Sequence, residues 1–509
     1  MTVQKSGSTP HHSKKILEIF KTPKVYEVSQ QQTVEARLLD GQALRKEFWS
    51  FLVYALPPTV SYALDTGVEI VCLAFVAKLG ERELAAAGLA FMLSNMSGHA
   101  VYTGASTALG TLGSQAYGAR KYELVGLLLQ QAMVVAGVVL AAISTLWLFA
   151  GQMFHACGIA PTIAGMAGSF IRWQILTLPP MALMQLLKVW LEAQGILRPI
   201  TAVSCAVLVF TWMFGWLLIE RDMLGLGLYG APVAVLCAYT CGNVVFLGLI
   251  AAGGYQKKTW KGWSWGAKAG LWGFAGLALT GAGMVCLEWW SYEVLGVVGS
   301  AFGETATAVQ TVLVNFSYFM YATGEGIAIA AGTRVGNALG AGLPVAAQRS
   351  AGMAVFLALL SAFFIIVPLW ASRGTWVTSF LQGEESFVLV SRCTPALMLF
   401  LLFNSGYGAL SGILLGSGKQ QVGLVANLVA CYLIGIPLGL TMSFYYGHGI
   451  LGLWWGQVWG VFLLFTSLSI YIMSIDWRSL AMKTRAELES DGVEMSEGLL
   501  EGGFVIEDS

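Results

Sequence analysis

The chain has 509 residues, of which 56% are hydrophobic and 11% charged, with acidic and basic residues in equal number. An ordinary soluble domain is roughly 25% charged, so the composition excludes that class and points to an integral, multi-pass membrane protein. Zero net charge gives nucleic acid no electrostatic purchase, and no such partner is expected.

A polar, basic segment, residues 1–47, precedes the first apolar run; it starts that run too late for a cleaved secretory signal and reads as a cytoplasmic tail. Within it, 13–24 has the Lys residues and apolar face of a segment that lies on an inner leaflet, with a solvated tail as the alternative. A membrane helix needs about 20 mostly apolar residues. Twelve such runs follow, near 48–77, 84–111, 124–150, 162–190, 198–219, 228–253, 268–300, 305–333, 350–371, 386–415, 421–446 and 449–474. Lys and Arg gather in the N-terminal tail and in the even-numbered connections, at Arg120 and Lys121, at Arg198, and at Lys257, Lys258 and Lys261. The positive-inside rule then puts both termini in the cytoplasm. The tail 475–509 is acidic with little apolar periodicity and reads as disordered; Leu499 and Leu500 beside acids faintly resemble a sorting signal.

The first span carries Asp65 and Glu69, four apart and therefore on one helix face. Two close carboxylates resist joint ionisation, so the pair is a candidate proton-coupling site, with a structural hydrogen-bond network as the alternative. Pro57 and Pro58 in the same span are expected to bend it and free carbonyls. Cys237 and Cys241 share a face of the sixth span, but without His or acid beside them packing is favoured over metal binding.

Past span six the connections repeat. Gly118 and Gly340 open matching Gly-Ala pairs 222 residues apart, Gly227 and Gly449 differ by the same 222, and Gly195 and Gly418 by 223. Each half holds six spans, so the halves run parallel about an axis along the membrane normal. The organisation is an N-lobe, 48–253, a cytoplasmic linker, 254–267, and a C-lobe, 268–474, with a binding cavity between the lobes.

Span seven holds "CLEWWSYEV" (286–294), with Glu288 and Glu293 around a Trp pair. A carboxylate at a helix centre costs about 2.5–3.5 kcal/mol on insertion scales; protonation removes most of that, so such a group can exchange a proton. Glu288 and Glu293 are about 140° apart around a regular helix, so one faces the cavity while the other braces a neighbour. Trp289 offers a π face to an organic cation. Span eight adds Glu325 between glycines, and Gln310, Asn315, Tyr318, Tyr321, Asn404 and Tyr407 supply neutral polar groups near the C-lobe cavity, each open between substrate contact and helix-to-helix hydrogen bonding. Arg334, beside a cytoplasmic loop, reads as a helix-end residue.

From about 45 to 475 the chain resembles the multidrug and toxic compound extrusion (MATE) family, its eukaryotic and plant-like branch in particular. The carriers are "LGERELAAAGLA" (79–90), "QAYGARKY" (115–122), "EAQGILRP" (192–199), "CLEWWSYEV", "TRVGNALGAG" (333–342), "GILLGSGKQQVGLVANL" (412–428) and "YLIGIPLGL" (432–440). The resemblance implies an all-α fold of twelve transmembrane helices in two six-helix lobes. It also implies export of small organic, often cationic, compounds in exchange for a coupling cation, protons or alternatively sodium, with no other cofactor and no enzymatic step. The sequence departs from the family pattern at Leu415, where Arg is usual, at "AKLG" (77–80), and at Asn404, where an acid is common. Asn315 resembles the plant type, while Asp65 and Glu69 stand where plant-type members often have glutamine. A monomer in contact with membrane lipid is expected, in the plasma membrane or in a vacuolar or lysosomal one. A lipid or lipid-linked flippase of similar architecture is the alternative; it should line its cavity with basic residues, and the spans show almost no mid-depth Lys or Arg.

Overall fold

Every apolar run in the sequence becomes a helix, because a backbone in lipid must satisfy its own amides and carbonyls. The computed structural model describes residues 41–220, 224–372, 374 and 384–501, without the side chains of Ala43, Glu304, Asn315, Tyr318, Phe319, Met320 and 491–501. The N-terminal segment 1–40, with its inner-leaflet stretch, lies outside the described residues, as do the side chains of Leu499 and Leu500. The helices are α1 (Gly41–Ala77), α2 (Glu81–Gly118), α3 (Tyr122–Leu148), α4 (Pro161–Gln174 continued by Leu178–Ala193), α5 (Arg198–Ile219) and α6 (Gly230–Gly253). The second half repeats them as α7 (Leu271–Gly299), α8 (Glu304–Gly340), α9 (Pro344–Ala371), α10 (Glu384–Gly416), α11 (Gln420–Tyr445) and α12 (Ile450–Met473). Contacts divide the chain after Ser50, and the unit Phe51–Ser509 contains both halves of the repeat.

Among the described residues, ten of the twelve are long and apolar enough to cross a membrane by length and composition. Of the other two, α4 is interrupted by a tight turn at Ile175–Thr177 ahead of Pro179 and Pro180 and holds Lys188 and Glu192, while α8 holds Glu325 and Arg334. Leu56, Val60 and Ile70 on α1, Val134 and Val138 on α3, and Phe363 and Phe364 on α9 point outward, the exposed apolar surface a lipid-facing protein requires.

The repeat is visible in the backbone. Gly227 and Gly449 have φ of 58° and 57°, and Gly195 and Gly418 have 75° and 70°, left-handed values that glycine adopts without steric cost. Arg120 is the described non-glycine residue with positive φ, 63°, and 222 residues later Gly342 takes 69°.

Reciprocal contacts join the halves. A side chain at Gly118 would strike the Asn337 backbone and one at Gly340 the Gln115 backbone, and 115 to 337 is again 222; Ser114 and Gly336, similarly related, touch each other. Deeper in, Gly104 lies against Ala282 and Gly326 against Thr59. The pseudo-two-fold thus runs between α2 and α8. These helices extend well past the apolar runs near 84–111 and 305–333, because the small residues of "TLGSQAYG" and "TRVGNALG" pack helix on helix rather than on lipid.

Two connections differ from the sequence reading or sharpen it. The linker is pinned to α3: Gln130 donates to the Gly262 carbonyl at 2.8 Å and accepts from the Ser264 amide at 2.9 Å, and Gln131 donates to the Ala269 carbonyl at 2.6 Å. Within the tail 475–509, expected to be disordered, the described residues form a helix, α13 (Trp477–Glu501). Asp476 caps it by accepting from the Arg478 and Ser479 amides. Trp477, Ala481, Thr484 and Leu488 form a buried stripe at helical spacing, and Lys121 donates to the Leu488 carbonyl at 2.7 Å.

Candidate functional site

Glu288 sits on α7 with 6% exposure, and its carboxylate accepts from the hydroxyls of Tyr407 on α10 at 3.0 Å and Tyr321 on α8 at 3.3 Å. Asn427 on α11 donates to the Tyr407 hydroxyl at 3.0 Å, and Trp289 donates to the Tyr321 hydroxyl at 3.3 Å. The acid is therefore tied to three other helices of its own half through neutral groups.

Glu325 lies one turn further along α8 from Tyr321. The Tyr321 hydroxyl accepts from Trp289 and has a single proton to give. Glu288, Tyr321 and Tyr407 form one hydrogen-bonded cluster, with Glu325 near it on α8.

The Glu288 cluster borders the opposite half. The Tyr321 ring lies 5.7 Å from Tyr62 on α1, and the Trp289 ring 5.5 Å from His99 on α2. Trp290 donates to the Met96 carbonyl at 2.9 Å, within the wide turn Asn95–His99 that interrupts the α2 ladder. The contacts described between the halves run from this depth to the end that holds Gly118 and Gly340. There Thr111 donates to the Leu415 carbonyl at 2.7 Å, Gln115 to Gly416 at 2.9 Å, and Gln420 to Thr111 at 2.8 Å.

The N-half acids are separated. Asp65 pairs with Lys188 of α4 at 2.6 Å, and Lys188 donates to Ser204 of α5 at 2.8 Å. Glu69 accepts from Asn95 at 2.9 Å. One helix face does carry both, as the spacing requires, but different neighbours take them. The Pro57 carbonyl accepts from Thr201 of α5 at 3.1 Å, while α1 stays helical through both prolines.

Of the other expected site residues, Asn404 accepts from Tyr292 at 2.9 Å and Gln310 from Trp454 at 2.9 Å, both within the C-half. Tyr407, expected near a cavity surface, is 1% exposed and positions Glu288. Glu293 is half-buried on the far side of α7 from Glu288. The side chains of Asn315 and Tyr318 lie outside the described residues. Among the described residues no His, Cys, Asp or Glu group has the form of a metal site.

Sequence reasoning missed Lys188, Glu192, Tyr292 and Asn427. Lys188 is one of the few basic residues inside a span; a Lys in the apolar run "QLLKVWLEA" was the available signal. Arg334, read as a helix-end residue, stacks over Phe51 and Tyr54 of α1 at 5.4 and 5.9 Å and so joins the halves.

The MatE family model matches this chain twice, over 57–217 and over 282–441, one match in each half and together more than half of its length. An uncharacterized transporter of Schizosaccharomyces pombe is 30% identical over 82% of the chain and 77% of its own length. Protein DETOXIFICATION 22 of Arabidopsis thaliana is 31% identical over 86% and 89%, and multidrug and toxin extrusion protein 1 of Danio rerio 29% identical over 89% and 76%. Among solved structures, the eukaryotic MATE transporter AtDTX14 superposes with a TM-score of 0.81 at 26% identity, over 88% of this chain and 99% of its own. A Vibrio cholerae MATE transporter shares the fold, with a TM-score of 0.78 at 17% identity over 86% and 99%.

Proposed function

We propose, since the chain belongs to the MATE family of transporters, that it exports small organic cations in exchange for protons by alternating access of its two six-helix halves. The observation that carries the reading is Glu288: a buried acid whose hydrogen-bond partners are hydroxyls on α8 and α10, on a helix that borders the opposite half. Nothing in that partner set fixes its charge. Deprotonated, Glu288 attracts a cation; protonated, it releases one and lets α7 repack without a buried charge.

Coupling requires the proton to bind the two access states with different affinity, since equal binding shifts nothing. The Tyr321–Tyr62 and Trp289–His99 contacts give protonation a route to the surface between the halves. The positive-inside pattern makes the Gly118–Gly340 end cytoplasmic, and contacts gathered there suit a state closed to the cytoplasm. Glu325, near the cluster on α8, is a second candidate coupling acid, and Trp289 and Asn404 are candidate substrate contacts.

The protein functions in the plasma membrane or a vacuolar or lysosomal membrane with both termini cytoplasmic, its halves, 48–253 and 268–474, acting as the moving bodies. The test is efflux of a fluorescent organic cation from proteoliposomes under a pH gradient or a sodium gradient. A pH gradient alone should drive uphill movement; a response to sodium alone would replace the proton with sodium, and a response to neither would favour the lipid-flippase reading.

A further inference from the structure

The repeat relates one acid of each half directly. Asp65 and Glu288 differ by 223, as do Gly80 and Gly303, which start the following helices of the two halves with positive φ. Ser204 and Asn427 also differ by 223. Each half therefore holds an acid on its first helix, a partner on its fourth and a polar residue on its fifth. In the C-half these are Glu288, Tyr407 and Asn427; in the N-half they are Asp65, Lys188 and Ser204. The partners on the fourth helices, 188 and 407, differ by 219, one helical turn short of 223.

The architecture is thus duplicated, and the chemistry is not. The C-half carboxylate meets a phenol, which leaves its charge free to change. The N-half carboxylate meets an ammonium whose side chain is 9% exposed and which spends a second donor on Ser204. A cation at this place in the repeat is supplied by the chain itself.

We infer that Lys188 is a tethered counter-cation that keeps the Asp65 carboxylate permanently occupied, so that the N-half binds no exchangeable proton or sodium ion. Loss of the ammonium converts Asp65 into a second small-cation site. Other charged and titratable groups in electrostatic reach of the pair are His99 and Tyr102 on α2, Glu192 on α4 and Tyr239 on α6, with Glu69 a turn away on α1. None of the four that reach it supplies a fixed positive charge in place of Lys188. The Asp65 side chain is 30% exposed, and a partly buried carboxylate deprived of its ammonium gains from a replacement cation or a proton.

The inference deepens the antiport reading, and its test does not depend on transport. Protons bound per molecule are counted when full-length protein in nanodiscs is moved from alkaline to acidic pH, with and without sodium. Lys188→Met should bind one proton more than the parent, or show a sodium-dependent rise in Tm that the parent lacks, and Lys188→Arg should restore the parent's behaviour. The double variant Asp65→Asn/Lys188→Met removes the pair as a neutral unit and should match the parent count. It also guards against a single variant that fails to fold. A double variant that binds one proton fewer would mean that Asp65 exchanges its proton in the parent, and a Lys188→Met count equal to the parent's with no sodium response would mean that no site was uncovered. Either result overturns the inference, whether or not Glu288 proves to be the coupling acid.

Discussion

Substituting Val for Gly340 should move the access equilibrium rather than simply weaken the fold. A side chain there enters the Gln115 backbone of the opposite half, and the pseudo-symmetric change Gly118→Val enters the Asn337 backbone. Overpacking costs roughly 1–3 kcal/mol. If the halves separate at this end during transport, the cost falls on the closed state alone. A bias of that size changes the ratio of the two states by about 5–150-fold. The hydrogen bonds from Thr111, Gln115 and Gln420 at the same end resist it, at about 0.5–1.5 kcal/mol each. Pulsed electron-electron resonance between spin labels at Lys121 and Lys419, with the exposed native cysteines Cys157 and Cys205 replaced, reads the populations. Both variants should populate a longer distance, and to a similar degree because the two contacts are equivalent. Unchanged distances with a lowered Tm, or opposite effects of the two substitutions, would refute the reasoning.

Leu488→Asp places a charge in the buried stripe of α13 and should lower Tm by several degrees, whereas Lys483→Ala, in a pair more than half exposed, should leave it unchanged in differential scanning fluorimetry. Gln130→Ala removes both hydrogen bonds that hold Gly262 and Ser264, a loss of about 1–3 kcal/mol, and limited proteolysis should cut the linker 254–267 faster. Gly342→Ala puts a side chain at φ 69° and should cost about 1 kcal/mol in thermal stability. Arg120→Gly, at the equivalent φ of 63°, should cost nothing.

The loop glycines revealed the repeat because positive φ restricts the residue: 227 and 449, and 195 and 418, keep glycine where the spans around them have diverged. Glu288 stood out because a charge in an apolar run is costly wherever the helix packs. Partners were harder to see. Asp65 and Glu69 looked like a carboxylate pair since their spacing is local, whereas Lys188 and Asn95, which take them, lie on other helices. Asn427 and Tyr292 are ordinary polar residues in apolar spans until folding brings them to Tyr407 and Asn404. The α13 stripe was hidden because it uses Ala481 and Thr484 beside Trp477 and Leu488, which gives weak periodicity among many acids.

Uphill export of an organic cation under a pH gradient, compared between the parent protein and Glu288→Gln at equal abundance in proteoliposomes, tests the central claim most directly. Glu288→Gln should fold, superpose on the parent, and lose gradient-driven accumulation. Retention of full pH-driven export by that variant would contradict the role given to Glu288.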